Sequence, residues 1–209
     1  MFVKREESRT KRKNREIILE AARGLFLEKG LKGTTMLEIA QKAGVERRTL
    51  YNYYESMELL AMELQVGYLL ELQDAWVDAE EDLSGFDQAR VLLTAFCAYC
   101  ISRPDLIKFT VQFDHYFNQS YENEDYENFM KKYLRQSGAF EKALKKGLAD
   151  GSVFVDPHKV DKIAVTIIQS VMGLAQRIIF REPIYKMEYG YCKEDINHLV
   201  DILLFGLKG

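Results

Sequence analysis

The sequence predicts an all-α protein with about nine helices. Apolar residues recur at intervals of three and four along most of the chain, and no segment shows the alternation typical of a strand. Gly and Pro number 13 and 3 among 209 residues, so few positions favour a break between helices. Apolar side chains make up 47% of the chain, which is enough for a substantial hydrophobic core.

Three helices are predicted at the N-terminus. The first carries apolar residues at helical spacing until Gly30, a residue type that commonly ends helices. The second begins with a capping box, in which Thr35 caps the backbone and Glu38 follows three residues later. Gly44 suits the left-handed position after that helix, and a short third helix follows until about Tyr54.

Six longer helices are predicted in the remaining chain. Ser56 can cap the first of them, and segments such as "DLSGFD" and "NQSYENED" separate the others. Their expected bounds are 56–81, 91–101, 105–117, 124–149, 158–180 and 194–207. We therefore divide the chain into an N-terminal unit, residues 1–55, and a helical body, residues 56–209.

The two parts of the chain also differ in charge. Residues 1–60 hold 13 Lys and Arg against 9 Asp and Glu, whereas the remaining residues hold 16 against 23. The first 15 residues alone carry 7 basic and 2 acidic side chains. A basic N-terminal segment joined to an acidic body is typical of a nucleic-acid-binding protein. The alternative is a solvated, disordered tail.

The third helix has a surface suited to DNA. Leu50 and Tyr54 are four residues apart, so both can face the interior. The outer surface then offers two guanidinium groups, a phenol and an amide, from Arg47, Arg48, Tyr51 and Asn52. Arg pairs with guanine and Asn with adenine, while Thr and Tyr hydroxyls suit phosphates. Two short helices around a glycine-containing turn predict a helix-turn-helix motif.

The segment "IILEAARGLFLEKGLKGTTMLEIAQKAGVERRTLYNYYESMELL" carries further motifs. It combines an Ala-Ala-x2-Leu-Phe-x3-Gly run, a Thr pair, an Ile-Ala-x2-Ala-Gly-Val turn and a Leu-Tyr-x-Tyr-Tyr ending. These motifs resemble the N-terminal domain of the TetR family of transcriptional regulators. The resemblance covers about 44 contiguous residues, while the body matches the family only in architecture.

The resemblance implies roles for individual residues. Thr35, Tyr51 and Tyr53 would hold phosphates, and Thr34 would join Thr35 in presenting the start of the second helix to the DNA backbone. Bases would be read by Arg47, Arg48, Thr49 and Asn52. The chain departs from the family at Glu46, where a small capping residue is common, and at Met57, where Lys is common.

The last two helices of the body are apolar over a wide face. Their apolar faces are wider than packing against one neighbouring helix requires. Two such helices at the chain end are typical of a two-fold interface built from four helices. We predict a homodimer through Ile167, Val171, Gly173, Leu174, Ile178, Leu199 and Leu203. The alternative is that these residues belong to the core of a single protomer.

Aromatic residues are frequent in the middle helices, where the resemblance implies a small-molecule pocket. The candidate lining residues are Tyr68, Leu72, Phe96, Tyr99, Phe109, Phe113, Gln169, Met172 and Gln176. Aromatic rings in an acidic body favour an apolar or cationic effector over an anion. The alternative for each aromatic residue is core packing.

Other classes of protein receive little support from the sequence. There is no catalytic motif such as G-x-S-x-G, a P-loop or H-E-x-x-H, so we expect no enzyme. Cys97 and Cys100 lack the two further ligands that a zinc site needs, and we expect neither metal nor cofactor. No stretch of 18 residues is free of charge and the N-terminus lacks the apolar core of a signal peptide. These features predict a cytoplasmic protein that does not contact the membrane.

The sequence therefore predicts a ligand-responsive regulator, a repressor, that binds a pseudo-palindromic operator in double-stranded DNA as a homodimer. The alternative is a small helical enzyme or ligand-binding protein with a vestigial DNA-binding head, a reading that Glu46 and Met57 support.

Overall fold

The computed structural model describes residues 9–74, 79–117, 138–190 and 193–208. These ranges contain nine α-helices and no β-strand, which confirms the predicted all-α class. The helices are α1 Arg9–Lys29, α2 Met36–Ala43, α3 Arg47–Tyr53, α4 Met57–Asp74, α5 Gly85–Ser102, α6 Pro104–Phe117, α7 Gly138–Asp150, α8 Val160–Tyr189 and α9 Asn197–Phe205. Short 3-10 turns, Pro157–Lys159 and Lys193–Ile196, precede α8 and α9.

Local signals define the ends of the short N-terminal helices. The capping box of α2 forms as predicted, with Thr35 accepting a bond from the Glu38 amide. Gly44 adopts the left-handed conformation with φ 67°, and its N–H donates to carbonyls of the last turn of α2. The Val45 amide then donates to the Ala40 carbonyl at 3.0 Å, which completes a Schellman-type helix end.

Helices α1 and α4 are joined by two ion pairs in the same register. Arg15 Nη2 lies 2.6 Å from Glu63 Oε2, and Arg23 Nη2 lies 4.0 Å from Glu71 Oε1. The second pair is eight residues further along both helices, so α1 and α4 run parallel. Ser56 caps α4 as predicted, because its Oγ accepts a bond from the Leu59 amide.

The body is built around close contacts of α5 and α8. Helix α5 meets α7 where two glycines face each other, and a Cβ on Gly85 would lie 2.0 Å from the backbone nitrogen of Gly147. Only glycine permits this approach of the two helices. Helix α8 packs against α5, α6 and α7 and contributes its buried side chains to the same core as α1 and α4.

Two predicted bounds in the middle of the chain are wrong. Helix α5 begins at Gly85 rather than Val91, because Ser84 caps it. Residues 79–81 are not helical although α4 was expected to reach 81, and side chains of Gln88 and Lys146 bind the carbonyls of Glu80 and Glu81. Most of the stretch before α7 that was expected to be helical, from 124 onward, lies outside the described residues.

Helix α8 is longer than predicted. It continues past 180 through Pro183 to Tyr189 and ends at Gly190, whose φ is 64°. Proline removes one backbone hydrogen bond, but contacts across it hold the extension in place. Arg177 Nε donates to the Tyr185 hydroxyl at 2.6 Å, and the rings of Tyr185 and Tyr189 lie 5.7 Å apart.

Helix α8 is also unusually apolar. Within the described ranges, it is the one helix whose length and hydropathy would allow it to cross a membrane, with two or fewer charges in its most apolar 18 residues. The statement that no 18 consecutive residues lack charge still holds, because this criterion admits two charges, and core helices of soluble proteins meet it as well. Only 28% of that window is buried inside the protomer, so much apolar surface remains uncovered.

Candidate nucleic-acid interface

Helix α3 presents its polar side chains to solvent as predicted. Leu50 and Tyr54 are buried and fix the helix on the core, with exposed fractions of 0% and 3%. The side chains of Arg47, Arg48 and Asn52 are exposed. A base edge in the major groove requires exposed donors and acceptors on a rigid helix, and this surface provides them.

Tyr51 extends this surface beside the arginines. Its side chain is 39% exposed, and the Arg47 guanidinium carbon lies 5.5 Å from the ring centroid. Thr49 and Tyr53 are half-buried at the edges of the same helix. The Arg47 guanidinium therefore lies against the face of the Tyr51 ring, on the same exposed surface.

The two threonines before α2 have different environments. Thr34 is buried, its hydroxyl donates to the Gly30 carbonyl at 2.9 Å, and its amide donates to the Leu31 carbonyl. With 3% exposure, Thr34 offers little surface to a phosphate, in contrast to its predicted contact with DNA. Thr35 is exposed, but its amide and hydroxyl both donate to Glu38 Oε2 at 2.9 Å.

Glu38 ties the start of α2 to α1. Its other oxygen accepts a bond from Lys29 Nζ at 2.7 Å. The Lys29 ammonium and the two Thr35 donors hold the pKa of Glu38 at about 2, so the carboxylate stays charged at neutral pH. Sequence analysis identified Glu38 as a capping residue but not its bond to Lys29, which depends on how α1 and α2 pack.

The two departures from the family pattern have visible consequences. Glu46 stands at the N-cap of α3 and makes no side-chain capping bond, so the cap is weak as predicted. Met57 is partly buried against the core at the start of α4. It contributes packing at this position and carries no positive charge.

The basic start of α1 is helical from Arg9 onward. Arg15 donates through Nε to the Tyr54 hydroxyl at 3.4 Å, and Tyr54 is the residue that follows α3. This contact brings the first turns of α1, which contain exposed Lys11, Arg12 and Lys13, to the end of α3. Arg12 Nε also lies 3.7 Å from Glu16 Oε1, one turn further along the helix.

The predicted effector-pocket residues fall into three groups. Tyr68, Phe96, Phe109 and Phe113 are buried in the core, and the Tyr68 and Phe113 rings lie 5.3 and 6.2 Å from Phe109. The half-buried residues are Leu72, Tyr99, Met172 and Gln176. Gln169 is exposed on α8, so its assignment to a pocket is corrected.

Tyr68 has an unusual environment in this cluster. The residue is 1% exposed, and its hydroxyl has no hydrogen-bond partner among the described residues. Burial raises the pKa of Tyr68 to about 12, so the phenol is neutral at physiological pH. A buried polar atom without a partner is the kind of group that a ligand or water completes.

The predicted dimer residues divide between the core and the surface. Ile167, Val171 and Ile178 lie in the protomer's own core, with 5%, 0% and 1% exposure. Their assignment to an interface is corrected, because a side chain enclosed by its own chain cannot contact a second copy. Gly173 is exposed, with no atom within 4 Å of a Cβ built on it. Leu174, Leu199 and Leu203 are half-buried.

Sequence analysis missed the exposed apolar residues of α8 and α9. Those on α8 recur at helical spacing along one face, and those on α9 are about two-thirds to four-fifths exposed. They are Val165, Phe180, Ile184 and Met187 on α8, and Ile202 and Phe205 on α9. Their spacing was visible, but α8 is apolar on several faces, so the pattern alone did not show which one is buried.

The two cysteines of α5 are enclosed by apolar side chains. Both are buried, and burial raises the pKa of Cys97 to about 11 and that of Cys100 to about 12. Cys100 Sγ lies 3.6 Å from Met172 Sδ. In the part of the chain that the structure describes, no group of three or more His, Cys, Asp or Glu residues could hold a metal ion.

Comparison with known proteins identifies the N-terminal segment. Residues 18–64 match the family model for bacterial regulatory proteins of the tetR family. The repressor KstR2 of Rhodococcus jostii is 38% identical over 55 residues, which are 26% of this chain and 27% of that protein. The regulator AlkX of Mycobacterium tuberculosis is 38% identical over 64 residues, or 31% and 28% of the two chains. The matches span about a quarter of each relative's length.

Solved structures extend the similarity of fold to nearly the whole chain. A tetR-family regulatory protein from Rhodococcus RHA1 superposes with a TM-score of 0.70 at 18% identity, covering 94% of this chain and 97% of that one. A tetR-family regulator from Shewanella sp. PV-4 gives 0.65 at 20% identity, covering 94% and 98%. At these identities the likeness concerns the fold.

Proposed function

We propose that this chain, whose residues 18–64 match the tetR family model, is a ligand-responsive TetR-family repressor acting as a homodimer on a pseudo-palindromic operator. The observation that carries the proposal is the exposed polar surface of α3. Arg48 and Asn52 are four residues apart on a helix that Leu50 and Tyr54 anchor in the core. Such a helix can present a guanidinium to guanine and an amide to adenine.

Contacts with phosphates would position this helix on the duplex. We assign them to Tyr51, Tyr53 and the exposed Thr35, with Arg47 and Thr49 at the start of α3 nearer the bases. The basic first turns of α1 would add sequence-independent attraction, because Arg15 holds them beside the end of α3.

Two copies would pair through the uncovered faces of α8 and α9. Val165, Gly173 and Phe180 mark the exposed side of α8, and Ile202 and Phe205 mark that of α9. Burial of this apolar surface would provide the driving force, and a two-fold axis would make the contact self-complementary. The same pairing would cover an α8 that is apolar enough for a membrane span, as a regulator working in the cytoplasm requires.

The body, residues 56–209, would bind the effector and transmit its presence to the N-terminal unit, residues 1–55. The effector would lie beside Tyr68, whose buried hydroxyl lacks a partner among the described residues, and beside aromatic rings of α5 and α6. An apolar or cationic compound fits the acidic, aromatic body. Helix α4 would carry the response, because it joins α3 to the body and contains Tyr68.

Release of DNA requires the effector to prefer one state of the protein. Shifting a two-state equilibrium from 1:99 to 99:1 takes about 5.5 kcal/mol of differential affinity. A compound that binds both states equally well raises the melting temperature and leaves DNA affinity unchanged. A true effector raises the melting temperature and also weakens operator binding.

Selection of duplexes from a random library by the purified protein tests the proposal. We expect two inverted half-sites with centres about one helical turn, or ~34–36 Å, apart. Melting-shift screening of apolar and cationic compounds on the protein, followed by release of the selected duplex, then tests the response to ligand. Failure to enrich any duplex would overturn the repressor assignment and favour a ligand-binding protein with a vestigial head, which the weak Glu46 cap supports.

A further inference from the structure

The junction between the N-terminal unit and the body contains an aromatic layer. Phe26 of α1 and Tyr68 of α4 both pack against Phe109 of α6, with ring centroids 6.0 and 5.3 Å from that of Phe109. All three side chains are at most 1% exposed. Burial of these three rings attaches the unit to the body through apolar contact.

An ionic layer lies beside the aromatic one. Arg103, which follows α5, donates to both oxygens of Asp105 at 3.0 Å and also binds Glu71 of α4. The other oxygen of Glu71 faces Arg23 of α1 at 4.0 Å. One carboxylate thus connects α1 of the N-terminal unit to the segment that joins α5 and α6.

The ionic and aromatic layers share Tyr68. The Arg23 and Arg103 guanidinium carbons lie 5.2 and 5.9 Å from the centroid of its ring. Tyr99 also contributes, because its hydroxyl donates to Glu71 at 3.4 Å. The bidentate hydrogen bonds of Arg103 to Asp105 fix the direction of its guanidinium. By contrast, Arg23 and Glu71, at 4.0 Å, attract each other as charges beyond hydrogen-bond distance.

Glu71 belongs to two sets of contacts that define the position of α4. On one side, the ion pairs to α1 place the two helices in parallel register. On the other, Glu58 accepts from the Tyr116 hydroxyl at 2.8 Å, and Gln65 lies 3.5 Å from Thr110. The ion pair of Glu71 with Arg103 completes this second set. Successive positions along α4 thus meet partners that lie progressively earlier in the chain, so α4 and α6 run antiparallel.

We infer that Glu71, with Arg23 and Arg103, sets the orientation of the N-terminal unit on the body and thereby selects the half-site spacing that the dimer accepts. The inference rests on the proposed function. Glu71 stands 14 residues after the first residue of α4, about 20 Å from the end that meets α3. A small change of angle at the junction is therefore enlarged at the recognition helix. These residues are positioning residues and do not touch DNA.

Binding to duplexes of altered spacing tests the inference. Adding two base pairs between the selected half-sites rotates one site by about 70° and moves it by about 7 Å. The wild-type dimer should lose affinity by at least about tenfold, as expected for two rigidly oriented units. In the Glu71→Gln dimer, the longer spacer should lower the affinity by less than about threefold. The affinity of this variant for an isolated half-site should stay at the wild-type value.

Arg23→Met should reduce the penalty for the longer spacer in the same way. The double variant should behave like either single variant, because both substitutions break the same ion pair between Arg23 and Glu71. Stability should change little, because Arg23 and Glu71 side chains are 32% and 38% exposed and partly exposed ion pairs contribute little. Glu141→Gln is the matched control, since it removes an ion pair with Lys145 on α7, away from the junction.

Three results separate the possible explanations. A Glu71→Gln dimer that keeps the wild-type penalty for the longer spacer would overturn the inference. A parallel loss of half-site affinity would also overturn it, because the residue would then support the fold of the unit. A wild-type protein that binds no duplex would overturn the proposed function itself.

Discussion

The N-terminal unit and the body are both helical, but they differ in what decides which side chains are exposed: contacts within one or two helix turns in the unit, and packing between helices in the body. In the unit, helices of 7 and 8 residues are bounded by a capping box, a left-handed glycine and a short turn. In the body, the 30-residue α8 is apolar around much of its circumference. Short-range chemistry therefore determines which face of α3 is exposed, whereas packing against several helices determines which face of α8 is buried.

The difference predicts where truncation of a side chain costs most. Phe109→Ala should lower the free energy of unfolding by about 3–5 kcal/mol, because the ring is fully buried among three other aromatic rings. Phe154→Ala is the matched control, since Phe154 is 62% exposed and its loss should change stability by less than about 0.5 kcal/mol. Urea unfolding measures both. Similar losses at the two positions would contradict the assignment of Phe109 to the core.

A second prediction concerns the exposed face of α8. Gly173→Arg should raise the dimer dissociation constant on the order of 100-fold, because each copy places a long charged side chain in the interface. The monomer should still fold, since a Cβ at Gly173 meets no atom within 4 Å. Light scattering across a concentration series measures the change. Thr166→Arg reports on the same face, and an intact dimer in both variants would place the interface elsewhere.

The third prediction addresses the polar face of α3. Arg48→Ala should weaken binding to the selected duplex by about 1–3 kcal/mol and change binding to random DNA little, because a base contact is lost. Tyr51→Phe should weaken binding to both duplexes about equally, since phosphate contacts carry no sequence information. Fluorescence anisotropy at fixed salt compares them. Equal losses on both duplexes for Arg48→Ala would remove Arg48 from the base-reading set.

The smallest expected effect concerns the cap of α2. Thr35→Ala should cost about 1 kcal/mol of stability, because the hydroxyl accepts the Glu38 amide, whereas Thr35→Ser should cost little. The pKa of Glu38 lies below its ordinary value, so its stabilising contribution is present above pH 4.5 and is lost as the pH falls toward 2. Melting temperatures measured over that range should fall in the wild-type protein, and less so in Thr35→Ala. Identical pH profiles would exclude the Thr35 hydroxyl as a cause of the shift, since the backbone N–H of residue 35 remains in both proteins.

The side chains of α3 that face the core and those that face solvent were predicted correctly, because the positions concerned lie within one or two helix turns. The inward position of Leu50 and Tyr54 follows from a spacing of four residues, and the exposed Arg48 and Asn52 follow from the same period. Thr34 shows the limit of such reasoning. Its hydroxyl bonds to the Gly30 carbonyl, and the path of the chain between α1 and α2 decides that bond.

The sequence by itself determined the helical class, the ends of α2 and the faces of α3, because these depend on residues within one or two turns of each other. Only the tertiary structure decided that Val171 faces the core while Gly173 faces solvent, since α8 offers apolar side chains in both directions. It also decided that α8 continues through Pro183, where contacts of Tyr185 offset a lost backbone bond. The junction at Glu71 is of the same kind, because its partners come from α1 and from the residues between α5 and α6. No local period brings such distant residues together; the packing of whole helices does.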